Sequence, residues 1–206
     1  MARKFNRSRT TGKFMSEKMS PAATYWESTI ERDYFFLLDF DRTVNWFRDH
    51  PFKIYYKLNG KKRHYTSDVL VSRGNRIQLV EVKDARELDS DDNKKAFQVG
   101  KQFCQERGYE YVVVTDAEIR AGYLLENVKL LTRYRKQSVT GSCWGEVKRA
   151  LRSGGMEIQK LKGILDSFLV VNSLPYIYSC LYHGALKVES IKESPIELCS
   201  IVMLSL

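Results

Sequence analysis

Asp68, Glu81 and Lys83 are the residues of this chain whose types and spacing best suit chemistry. Asp68 lies near the end of the run His64–Val71, Ser72-Arg73-Gly74-Asn75-Arg76 follows as a turn, and Glu81-Val82-Lys83 closes the next run. Side chains alternate faces along a strand, so Glu81 and Lys83 point the same way while Val80 and Val82 point into a core. An antiparallel neighbour can set the Asp68 carboxylate beside them. Two carboxylates and an ammonium at the end of an apolar strand are costly to desolvate unless they bind something. Hard oxygen ligands hold magnesium, and a lysine beside them addresses a phosphate or an attacking water. The competing reading of Glu81 and Lys83 is a cross-strand ion pair on a solvated sheet face, which is worth little.

The elements that must position this trio are legible as patterns. Thr24 to Asp41 predicts a helix, with Thr24 as its cap and Ile30, Tyr34, Leu37 and Leu38 as an apolar stripe. Val44 to His50 reads as an irregular continuation that Pro51 closes. Phe52–Leu58, Arg63–Val71 and Arg76–Lys83 predict an antiparallel meander, its first turn at Asn59-Gly60 and its second at Arg73-Gly74-Asn75. Asp89-Ser90-Asp91-Asp92 is a cluster of N-cap residues ahead of an amphipathic helix over Asn93–Arg107, which Gly108 ends. Tyr109–Thr115, apolar almost throughout, reads as a strand buried on both faces. The helix between makes this strand a parallel neighbour of the one carrying Glu81.

An α/β domain over 21–120 is expected, and the remainder, 121–206, reads as a linker and a small α+β domain. Within that remainder Glu146–Arg152, Met156–Phe168 and Pro175–His183 predict helices, and Gly184–Val188 and Ile196–Met203 predict strands, a winged-helix pattern. Residues 1–20 carry Arg3, Lys4, Arg7, Arg9 and Lys13 with no acid before Glu17, as a flexible basic arm would.

Among the 206 residues, 43% are hydrophobic, enough for a real core and against a disordered chain. A net charge of +9 favours a polyanionic partner, nucleic acid first. Cys104, Cys143, Cys180 and Cys199 are far apart and lack zinc-site spacing, so they read as reduced, buried thiols of a cytosolic protein. With no apolar signal core and no stretch long enough to span a bilayer, a soluble, cytoplasmic protein without membrane contact is expected.

The ordered set of segments resembles TnsA, the endonuclease subunit of heteromeric transposases, within the PD-(D/E)xK nuclease superfamily. The resemblance rests on Glu31–Asp41, His50-Pro51-Phe52, Tyr65–Val71, Leu79-Val80-Glu81-Val82-Lys83, Gln98–Cys104, Tyr111–Thr115 and Asn127–Leu131. It implies a restriction-endonuclease-like mixed sheet flanked by helices. It also implies an enzyme that cuts double-stranded DNA at the 5′ ends of a transposon. A TnsB-like transposase would process the 3′ ends, and a TnsC-like ATPase regulator would meet the C-terminal region.

By the same resemblance, Glu31 matches the helix glutamate, Asp68 the metal-bridging aspartate, Glu81 the second strand ligand and Lys83 the catalytic lysine. The Val82 carbonyl would complete the protein's share of a magnesium site, which manganese could also occupy, and Glu31 would help a second magnesium or hold the lysine. Some relatives carry glutamine where Glu81 stands, and Ser67 occupies the place of the superfamily's proline. Without the resemblance, Glu31 reads as a solvent-facing helix residue, and Asp39 and Asp41 as capping or turn residues. Lys57, Lys61, Lys62, Arg63 and His64 on the first hairpin read either as a solvated turn or as phosphate contacts. Two further functions compete with the transposase subunit: a restriction-type or junction-resolving nuclease, and a non-catalytic adaptor binding DNA or an ATPase.

Overall fold

The computed structural model describes residues 11–19, 21–58, 60–137, 142–169 and 172–205. The chain divides into two units, Met1–Ile119 and Arg120–Leu206. In the first, a four-stranded mixed sheet runs in the order β3 (Val44–Asp49), β6 (Val69–Arg73), β7 (Arg76–Lys83), β8 (Glu110–Thr115). β3, β6 and β7 are antiparallel neighbours, and β8 lies parallel to β7, as the intervening helix α2 (Asp91–Gln105) leads one to expect. Two separate ribbons flank this sheet in sequence: β1 (Gly12–Met15) with β2 (Ala23–Trp26), and β4 (Lys53–Leu58) with β5 (Lys61–Thr66).

Each face of the sheet is sealed by one helix. Helix α1 (Thr29–Phe40) buries Phe35 and Leu38, and the Phe35 ring lies 5.6 Å from Phe14 and 5.8 Å from Phe47. The opposite face carries Leu70 and Leu79, which meet Ile54 from the β4–β5 ribbon and Val99, Phe103 and Cys104 from α2. Glu81 and Lys83 share that second face by alternation from Leu79, whereas Val80 and Val82 belong to the first. A short helix, α3 (Asp116–Ile119), follows β8.

Around the four-stranded sheet, three features differ from the sequence-based expectation. The helix expected from Thr24 begins at Thr29: Ser28 is its N-cap, accepting from the Glu31 backbone N–H at 3.1 Å, and Glu31 reaches back to the Glu27 N–H at 2.9 Å. This is a variant of the Ser-x-x-Glu capping box in which the glutamate takes the N–H one residue before the cap, and it outcompetes Thr24, which pairs in β2 instead. Val44–Asp49 is an edge strand rather than an irregular tail, because Val44 and Phe47 are buried against the sheet. The strand expected over Arg63–Val71 is broken at Ser67-Asp68, so the first hairpin stands as its own ribbon and not as part of the meander.

Gly12–Met15, inside the segment expected as an arm, pairs with β2; the rest of the basic cluster before residue 11 lies outside the described residues, as does Asn59 of the first turn. Gly60 and Gly74, in the two turns, have φ of 74° and 55°, a region that costs glycine nothing.

In the second unit the expected linker over Tyr123–Tyr134 contains a helix, α4 (Leu124–Thr132). It is followed by α5 (Ser142–Ala150), β9 (Met156–Glu157), α6 (Ile158–Leu169), α7 (Leu174–Tyr182), β10 (Leu186–Val188) and β11 (Ile201–Leu204). β11 is the central strand of a three-stranded antiparallel sheet, between β10 and β9. On α4 the Asn127 side chain, 1% exposed, donates to the Ile191 and Ser194 carbonyls and accepts from the Ile196 N–H, each at 2.8 Å. It thereby pins the loop between β10 and β11. Cys104, Cys143 and Cys180 are buried as expected, whereas Cys199, on that loop, is exposed.

Candidate active site

Asp68 reaches the site because the β6–β7 ladder ends at the pair Val69↔Val80. Beyond that pair the strands part, and the Val82 N–H has lost the ladder partner that residue 67 would have supplied. The Asp68 carboxylate takes this donor at 2.8 Å. The chain on the other side is held as well, by the His50 N–H donating to the Asp68 carbonyl at 2.7 Å. His50 has φ of 42°, an uncommon conformation for a residue with a Cβ, and its ring lies 3.3 Å from Asp49.

The three residues marked out by the sequence do meet. The Lys83 ammonium lies 2.8 Å from Glu81 Oε1 and 3.7 Å from Asp68 Oδ2, with the Lys83, Glu81 and Asp68 side chains only 22%, 3% and 13% exposed. One cation is thus shared between two buried carboxylates, and the trio keeps a net negative charge. Burial raises the Glu81 carboxyl to about 7, and repulsion from Asp68 adds to the rise against the pull of Lys83. Asp68 is likewise raised, by burial first, with Lys83 and the Val82 N–H opposing. Burial alone would lower Lys83, but the two carboxylates outweigh it and hold the ammonium charged. The exposed ion pair weighed as the competing reading of Glu81 and Lys83 does not describe this geometry.

Glu81 Oε2 is fully buried and has no hydrogen-bond partner among the described residues. Ser67 Oγ is buried without a partner too, and the buried Tyr65 and Tyr111 hydroxyls have only each other. Burial raises both phenols, and the Glu81 charge adds to the rise in each, placing all three groups in one electrostatic neighbourhood. Gly100 of α2 is what lets the tyrosines close over this region: a Cβ there would lie 2.6 Å from the Tyr65 hydroxyl. His50, Tyr65, Ser67 and Tyr111 are neighbours of the site that sequence spacing did not single out. Aromatic and hydroxyl residues in strands are ordinary core residues until their missing partners are seen.

Glu31 is placed differently from the trio. Both its oxygens serve the capping box, Oε2 on the Glu27 N–H and Oε1 on the Ser28 hydroxyl at 3.0 Å. Its charge is nonetheless felt at Asp68, His50 and Lys83. Asp39 is buried and accepts from the Ser16 hydroxyl, while Asp41 is the C-cap of α1 and pairs with Arg73. Gln98 is exposed on α2. The hairpin residues Lys57, Lys61, Lys62, Arg63 and His64 are all exposed.

Among the described residues, no three or more His, Cys, Asp and Glu side chains gather as a ready-made metal cage. The donor set still suits one hard cation. Magnesium is usually held by one or two carboxylates, its remaining positions going to water and substrate phosphate. Asp68 together with the orphaned Glu81 oxygen supplies that number, and a buried acceptor without a donor is satisfied by a cation.

Residues 41–116 match the family model described as TnsA-like endonuclease N terminal. The chain carries a TnsA-like endonuclease domain. The matched segment of this TnsA-like domain contains Asp68, Glu81, Lys83 and the basic hairpin; Glu31 lies before it. A search of curated proteins finds no match to the chain. Among the described residues no helix is long and apolar enough to cross a membrane.

Proposed function

We propose that this chain is the metal-dependent DNA endonuclease subunit of a heteromeric transposase, hydrolysing phosphodiesters at the 5′ ends of the element. The observation that carries the reading is the shared Lys83 ammonium beside a buried, unpartnered Glu81 oxygen, inside a TnsA-like segment. Asp68, Glu81 and the Val82 carbonyl would hold magnesium, or manganese. The bound ion supplies polarisation of the phosphoryl oxygen and a water of lowered pKa.

The residues do the rest. Lys83 keeps its proton while both carboxylates face it, so in the resting site it orients the carboxylates. With substrate bound it is placed to steer the nucleophile or to offset charge developing on the phosphate. The Val82 N–H fixes the Asp68 carboxylate in one rotamer, so the donor set is built before substrate arrives. Glu31, through its charge, biases the same cation site without leaving its cap.

The second unit is read as a winged-helix-like domain. Its order from α5 onward, helix, strand, two helices and two strands, with the last strand central, supports this. Tyr176 to Tyr182 on α7 are all buried, so that helix presents no side-chain row for a DNA groove. A protein partner suits the unit better, and the TnsC-like regulator is the one the family resemblance implies. A TnsB-like transposase would act on the other strand.

Asp68→Ala and Lys83→Ala test the reading with magnesium and the partner transposase present. Both variants should keep the wild-type circular dichroism and lose strand cleavage of transposon-end DNA by several orders of magnitude. Nicking by Lys83→Ala at the wild-type rate would refute its role. Retained cleavage in both would favour a non-catalytic adaptor contaminated by another nuclease. Efficient cleavage by the wild type without any transposase would favour the restriction-type alternative.

A further inference from the structure

The β4–β5 ribbon has two faces, and the fold uses only one. Ile54 and Tyr65, partners in register, point into the core with Leu70 and Leu79. The pairs Lys53↔Thr66, Tyr55↔His64 and Lys57↔Lys62 therefore point the other way, and all six residues are exposed. Lys57 and Lys62 sit directly opposite each other, an arrangement that destabilises a sheet when nothing neutralises it. Neither they nor Lys53 has an acidic partner among the described residues. Between the lysines, Tyr55 is 73% exposed, with its ring 5.9 Å from that of His64. An aromatic pair in water flanked by unneutralised cations matches the chemistry of a nucleic-acid backbone: phosphates for the lysines, an apolar sugar edge for the rings.

We propose that this face, Lys53, Tyr55, Lys57, Lys62 and His64, is a contact ribbon for duplex DNA, an inference that rests on the nuclease reading above. Lys57 and Lys62 meet two adjacent phosphates, one each, and the Tyr55–His64 pair packs on the sugar between. Lys61 and Arg63, though exposed and basic, project from the ribbon's other face and are excluded from this contact. The ribbon also has a fixed relation to the chemistry, because β5 runs through Ser67 straight into Asp68. At ~3.3 Å per residue, Lys62 stands up to ~20 Å along the chain from Asp68, which sets the contact within little more than half a helical turn of DNA from the cleaved bond.

Binding of the full chain to a fluorescein-labelled duplex of mixed sequence, in EDTA and over a salt series, tests this. Lys57→Gln/Lys62→Gln should weaken binding about tenfold at low salt and make the slope of log K against log salt shallower by ~1.8, which is ~0.9 for each phosphate left unneutralised. Its melting temperature should equal or exceed the wild type's, since a repulsion is removed. Tyr55→Ala should lower affinity with the slope unchanged. Lys61→Gln/Arg63→Gln should shift the slope by less than half as much. A wild-type slope for the Lys57/Lys62 variant, or an equal loss in the Lys61/Arg63 variant, would overturn the ribbon proposal while leaving the nuclease reading standing. Failure of the wild type to bind duplex at all would overturn the ribbon proposal, while the nuclease reading stands or falls separately on cleavage with the transposase present.

Discussion

Two buried polar sites, one in each unit, are built on opposite principles. Around Asn127 every polar atom of the side chain has a partner: two carbonyls and one N–H, all at 2.8 Å. Around Glu81 the charges are paired unevenly, two carboxylates to one ammonium, and one buried oxygen is left over. Buried polar groups that serve the fold are satisfied within it, because each orphan costs about 1–3 kcal/mol. A site that keeps an orphan is storing that cost for a ligand. Asn127 and Glu81 are about equally buried; the difference lies in whether the protein itself completes the set.

The contrast can be broken by substitution. Asn127→Leu should be the most damaging change to stability, since it strands the Ile191 and Ser194 carbonyls and the Ile196 N–H. About 3 kcal/mol of lost stability is expected, counting roughly 1 for each group. Hydrogen exchange should rise across 124–132 and 191–196, with β6 and β7 unaffected. Unchanged protection there would mean that Asn127 is not the pin described.

Glu81→Gln should do the reverse. The folded-state Glu81 titrates at about 7 against an ordinary 4.5, so the folded protein holds the proton more tightly than the unfolded chain. Stability then falls as pH rises from 4.5 to 7, and the full cost is present above 7. In EDTA the glutamine variant should be more stable than wild type at pH about 8, by an amount of order 1–3 kcal/mol. The two should converge below pH about 4.5, where both states are protonated. A variant less stable than wild type at the higher pH would show that the Glu81 charge contributes to folding instead of opposing it.

The smallest effect belongs to a pair near the surface. Asp41 is partly desolvated, which opposes ionisation, but Arg73 and the Thr43 hydroxyl and N–H hold its carboxyl below the usual range. Its contribution is present above the ordinary carboxylate pKa and is lost as pH falls through the depressed value. With both side chains about one-third exposed, Asp41→Asn should cost less than about 1 kcal/mol by urea titration near neutral pH. A larger loss would place this pair with the buried class.

The sequence made the strand pair and its charges legible because apolar and charged residues alternate over Val80–Lys83 and the turn at Gly74 is short. The parallel strand and α2 followed from a near-continuous apolar run and a cluster of capping residues. What escaped depended on contacts far apart in the chain. Val44–Asp49 lacks regular alternation and is a strand only because β6 is there to pair with it. Thr24 and Ser28 are both good caps on paper, and pairing with β1 decided between them. The capping role of Glu31 is encoded in Ser28-Thr29-Ile30-Glu31, a local signal that its charge near the site overshadows. Tyr65 and Tyr111 carry no spacing signal, since the meeting of two buried hydroxyls beside a carboxylate is visible only in three dimensions.

The parallel pairing of β7 with β8 has a consequence for when the charged trio can exist. Glu81 is registered against Val113 and Lys83 against Thr115. A ribosome making this chain emits the β6–β7 hairpin first, local and quick to close, while the strand that clamps its far edge is still unsynthesised. Until residue 115 emerges, Glu81 and Lys83 lie on an open edge where water keeps them apart. Burial of the carboxylates, and with it the tight grip on the ammonium, arrives only as translation passes into the second unit.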